Sequence, residues 1–131
     1  MWFSGDSEHA ALTYFDSVGY DVSPGMNVDV VKGNHHGSCN GISSRFLDLT
    51  SPTWITFAVS ATNGYHHVHE QTKDLLAARS IPWYRSDGNG RITFSTPGTP
   101  GGGYSVSVEK GTASMDGAAD EVSSQTECNS L

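Results

Sequence analysis

Three short polar clusters carry the side chains able to do chemistry: Gly5-Asp6, His35-His36-Gly37-Ser38 and His66-His67-Val68-His69. Together they offer a carboxylate and several imidazoles, the donors that borderline divalent ions such as zinc take, and one carboxylate with its two oxygens can bridge an ion pair. An imidazole with an ordinary pKa of roughly 6.5 is also a general acid near neutral pH. Taken singly, each cluster has a plain structural reading. Gly-Asp before a helix is an N-cap, His-His-Gly-Ser is a solvated turn, and His67 with His69 opens the first turn of a helix. What sets them apart is position, because each follows a segment with strand character.

The elements that must position them can be read in order. Met1-Trp2-Phe3-Ser4 is a short apolar strand that stops at Gly5-Asp6. From Ser7, the residues Ala10, Ala11, Tyr14, Phe15 and Val18 recur at helical spacing, with Asp6 or Ser7 available as N-cap and Gly19 as a stop. Val28 to Lys32 has a buried-strand pattern. Ile42, Phe46 and Leu49 then mark a helix that ends before Pro52. Trp54 to Val59 is aromatic and β-branched, the strongest strand in the chain, and it leads through the second histidine-rich loop to a helix carrying Leu75, Leu76 and Ala78. Trp83-Tyr84-Arg85 and Arg91 to Ser95 flank Asp87-Gly88-Asn89-Gly90, a composition that suits a hairpin turn. A glycine-proline stretch from Pro97 to Gly103 precedes a last alternating strand, Tyr104 to Val108. Beyond Gly111 the residues are small, polar and acidic, so 1–111 reads as one domain and 112–131 as a disordered tail.

Strand alternating with helix, followed by a small antiparallel set, predicts an α/β fold. If the first three strands are parallel neighbours, the loops after them meet at one edge of the sheet, where such folds usually place their sites.

Composition narrows the function. The chain has 131 residues, 36% of them hydrophobic, enough for one modest core. Fourteen acidic against seven basic side chains give a net charge of −7, which disfavours docking to DNA, RNA or anionic lipid. A bound pair of divalent ions would add about four positive charges locally, so a phosphate ester stays within reach, and nucleic acid only through such a metal site. Cys39 and Cys128 are far apart and lack metal-type spacing, so neither a disulfide framework nor a zinc finger is expected. No membrane span and no signal peptide are apparent, and the chain reads as soluble, cytoplasmic if complete.

The runs Phe3-Ser4-Gly5-Asp6, Val28 to Ser38, Asn63 to His69 and Tyr84 to Ile92, in that order, resemble metallo-β-lactamase-fold hydrolases, in particular the ComEC-type hydrolase domains and their stand-alone relatives. The resemblance covers about residues 2 to 96. It implies half of an αββα sandwich, the C-terminal half, with a mixed sheet and helices on one face. It implies Asp6 as a carboxylate bridging two zinc or manganese ions, and His67 as the ligand opening the later helix. It further implies His36, supported by His35, beside the scissile phosphate, with Ser38 and His69 at the substrate. His66 and Val68 stand where that family has glycine and proline, so His66 could compete for the metal. The upstream His-x-His-x-Asp-His motif of such enzymes, and a histidine ahead of the Gly-Asp, have no counterpart in this sequence.

The expectation is therefore a metal-dependent hydrolase of phosphodiesters or related esters, incomplete as this chain and needing a missing N-terminal half or a second copy. An open sheet edge would then favour association. Two alternatives make different demands. A half-fold interaction module would bind no metal, and a histidine-rich metal buffer would use all six histidines, His9 included.

Overall fold

In the computed structural model, residues 1–19 and 26–111 are described, and the expected tail at 112–131 lies outside them. Four strands, β1 (Trp2–Phe3), β2 (Val30–Lys32), β3 (Trp54–Phe57) and β4 (Trp83–Arg85), form one sheet in sequence order with every pair parallel. Helices α1 (His9–Ser17), α2 (Ser44–Thr50) and α3 (Glu70–Ala78) make the crossovers, so the fold is α/β with a parallel sheet. A short α4 (Ser86–Asn89) follows β4. Strands β5 (Ile92–Ser95) and β6 (Ser105–Val108) form a separate antiparallel pair.

Pairing register explains the two faces. Trp2, Val31, Ile55 and Trp83 lie side by side across the sheet. This row faces the helices, because Val31, Ile55 and Trp83 share one buried core with Phe46 and Leu47 of α2 and Leu76 of α3, and Leu12 and Phe15 of α1 pack against it. Trp2 touches Phe15 edge-on at 5.7 Å and tilts against Phe46 at 6.3 Å. The neighbouring row, Phe3, Lys32, Thr56 and Tyr84, points the other way. There β5 covers part of the sheet, its Phe94 ring lying 6.1 Å from Trp54 and 6.2 Å from Tyr84. Tyr84 is buried at that contact, which pushes its phenol pKa upward.

Local chemistry sets the element ends. Ser43 caps α2, its hydroxyl accepting the Phe46 N–H at 3.1 Å. Ser51 closes the helix in the left-handed region and Pro52 follows, unable to donate to the helix ladder.

Two local expectations are corrected. The N-cap position of α1 is Glu8, without a side-chain cap, and the Ser7 hydroxyl instead donates to Ser4 O. Asp6 is thus not spent on capping. The hairpin expected around Asp87-Gly88-Asn89-Gly90 does not form. Asp87 chelates the Arg85 guanidinium at 2.5 and 2.6 Å, and Asn89 Oδ1 accepts the Arg85 N–H at 3.0 Å. These side-chain bonds wind the segment into α4, overriding the turn propensity of its residues. Strand β5 consequently leaves the β4 edge and pairs with β6. No helix among the described residues is long and apolar enough to cross a membrane.

Candidate functional site

Parallel strands in sequence order bring their carboxyl ends to one edge, and the three chemistry-bearing loops meet there. Between the first two, the staple is Asn34, fully buried, whose side-chain oxygen accepts from Trp2 Nε1 at 3.2 Å and from the Ser4 hydroxyl. His35 N–H adds a bond to Gly5 O at 3.0 Å. Asp6 is thereby held against the histidine turn. His35, His36 and Gly37 all have positive φ, which points two consecutive imidazoles out of a tight turn. Gly37 is obligatory there: at φ 90° any Cβ would lie 2.8 Å from Val68 Cγ1 and 2.9 Å from Phe57 Cδ1.

The third loop is fixed by Asn63 and Thr72. Asn63 grips the backbone of His67, accepting its N–H at 2.7 Å and donating to its carbonyl at 2.9 Å. Gly37 O receives both the His69 N–H at 3.1 Å and the hydroxyl of buried Thr72 at 3.0 Å, so the start of α3 is tied to the first histidine turn.

The imidazoles then form one cluster. His67 is at its centre, with the ring of His69 4.8 Å away, that of His35 at 5.5 Å, and that of His36 stacked nearly parallel at 6.4 Å. Burial first, and then the neighbouring imidazoles, push the His67 pKa down to about 4, against an opposing pull from Asp6. Near neutral pH His67 therefore carries a lone pair, the form that can ligate a metal. His36 Nδ1 lies 2.6 Å from Ala58 O and its Nε2 lies 3.3 Å from Asp6 Oδ1. A carbonyl only accepts, so the Nδ1 hydrogen is committed to Ala58. Nε2 then faces the exposed Asp6 carboxylate.

The other expected residues take distinct places. His35 Nδ1 sits 3.0 Å from Glu8 Oε1 and 3.1 Å from Asn40 Oδ1, leaving Nε2 as its acceptor nitrogen. His69 Nδ1 accepts the Cys39 N–H at 3.2 Å and Nε2 donates to Tyr65 O at 3.0 Å, so both its ring nitrogens are bound to backbone. Ser38 is buried behind the turn, whereas His66 is exposed with a positive φ. His9 stands apart on α1, at a cavity of about 60 Å³. Cys39 is disulfide-bonded. This departs from the expectation of no disulfide framework, since pairing follows spatial approach and not distance along the chain. Among the described residues, no three His, Cys, Asp or Glu side chains converge as a ready metal site.

Fold and site together define an α/β protein whose strand-end loops gather a carboxylate and a histidine cluster. Over 74 residues, 56% of the chain, it is 34% identical to ComE operon protein 3 of Bacillus subtilis (strain 168), and the match covers 10% of that relative. No protein-family model matches the chain, and no solved structure does.

Proposed function

We propose that the chain contributes part of the site of a metal-dependent hydrolase of the metallo-β-lactamase superfamily, acting on a phosphodiester or a related ester. The observation that carries this reading is the His36 Nε2 to Asp6 Oδ1 approach of 3.3 Å, with His36 stacked on His67. Donor chemistry fits zinc or manganese, and His67 is in its ligating form. The set is partial, however, because about three protein ligands per ion are usual at a catalytic centre and the described residues do not bring three together. Asp6 and His67 are the ligands this chain offers, and the others come from outside the described residues.

A bound metal pair would supply an activated water and offset developing negative charge. The chain's own residues do the rest. His36, with Nδ1 held by Ala58, presents a proton at Nε2 to the leaving oxygen. His35 supports the same turn, Ser38 shapes its rear, and His69 fixes the loop bearing Tyr65 on the substrate side. The likeness to ComE operon protein 3 and the order of the motifs agree with this reading. The metal buffer fits less well, because His9 lies outside the cluster.

Calorimetric titration of the full chain with Zn²⁺ and Mn²⁺ tests the proposal. Binding heat is expected for the wild type and is expected to be lost in Asp6→Ala and in His67→Ala. No heat in the wild type would overturn the reading in favour of a half-fold module that binds no metal.

A further inference from the structure

Cys39 follows the histidine turn in the chain and is both buried and disulfide-bonded. The sequence holds one other cysteine, Cys128, which lies outside the described residues. An intrachain bond would join these two and hold their Cα atoms within about 7 Å of each other. It would tie the acidic segment 112–131, with Asp116, Asp120, Glu121 and Glu127 and no Lys or Arg, to the loop after His35 and His36.

Sulfur and cluster are in contact. Cys39 Sγ lies 3.0 Å from His69 Nδ1, and the Cys39 N–H donates to the same nitrogen at 3.2 Å. His69 Nε2 faces Tyr65 O, a carbonyl that only accepts, so the ring hydrogen is on Nε2 and Nδ1 presents its lone pair. A disulfide sulfur has no hydrogen for that lone pair, whereas a thiol has one. Reduction thus adds an S–H donor to Nδ1 that the oxidised form lacks, and stabilising the reduced form makes a disulfide easier to reduce. The change falls at the centre of the cluster, because the His69 ring packs edge-on against His67 at 4.8 Å and the His69 N–H holds Gly37 O.

We propose that Cys39 and Cys128 form a reversible clasp whose opening and closing repositions His69 against His67, coupling the histidine cluster to the thiol-disulfide balance around the protein. Because Cys39 is buried, attack falls on the Cys128 sulfur. A thiolate of a dithiol reductant bonds to that sulfur, and the Cys39 sulfur leaves with the electron pair of the broken S–S bond and takes a proton. The second thiolate of the reductant then displaces Cys128, which is protonated in turn. The dithiol ends as a disulfide, and the protein has gained two electrons and two protons.

Peptide mapping of the unreduced full chain should recover Cys39 and Cys128 in one linked peptide from the monomer. A link between two copies of the chain overturns the clasp. Imidazole NMR of the metal-free full chain then compares oxidised protein with protein treated with dithiothreitol. The His67 and His69 ring signals should shift, return on adding oxidised glutathione, and take the reduced positions in Cys128→Ser without reductant. His9, apart from the cluster on α1, should keep its signals. Unmoved His67 and His69 signals overturn the proposal by making the bond silent at the cluster. A general shift that includes His9 overturns it as well, by making the bond a plain support of the fold.

Discussion

His67 illustrates how strongly single residues here are set by their neighbours. Its pKa falls from 6.5 in the unfolded chain to about 4 in the folded one. Between these values the unfolded state binds the extra proton, so acid favours unfolding. This contribution to stability is fully present above pH 6.5 and is lost as pH falls through 4. Urea midpoints followed by tryptophan fluorescence should decline over that window, and His67→Gln should flatten the decline. Asn34 gives a second prediction. Asn34→Ala strands the Trp2 and Ser4 donors, and chemical denaturation should register a loss of about 1–3 kcal/mol. At this scale the histidines and Asp6 were legible in the sequence because their types are rare and chemically pointed. Asn34, Asn63 and Thr72 were not singled out, since their importance lies in bonds to backbone or to residues brought near only by folding.

The elements themselves were easier to read than their pairings. Aromatic and β-branched residues located β3, helical spacing with the Pro52 break located α2, and each of the three longer helices falls within its anticipated segment. The β4–β5 connection was misread because Asp87 and Asn89 have turn chemistry, while the Arg85 contacts that redirect them are invisible in composition. Capping is a matter for this scale too. Ser43→Ala removes the acceptor for Phe46 N–H and should cost about 1 kcal/mol in thermal unfolding. Gly37→Ala should be far more damaging, by at least about 2 kcal/mol, because both its positive φ and the Val68 and Phe57 contacts forbid a side chain.

For the whole molecule, the face opposite the helices is the unfinished part. Phe94 covers the Trp54 and Tyr84 end, but a cavity of about 410 Å³ lies between Phe3, Val30, Lys32 and the β5 residues, and Phe3 is 70% exposed. An apolar ring beside the outer edge of β1 favours self-association. Sedimentation velocity should show the weight-average mass rising with concentration, with Phe3→Lys reducing the rise. The two-residue length of β1 has another outcome. Strands β2 and β3 are flanked on both sides, whereas β1 is joined by two register pairs at the margin. Amide hydrogen exchange should therefore be slowest in β3 and fastest in β1, which opens first in local fluctuations. Since Asp6 leaves whenever that strand detaches, the lifetime of the assembled cluster is governed by the most sparingly paired strand of the four-stranded sheet.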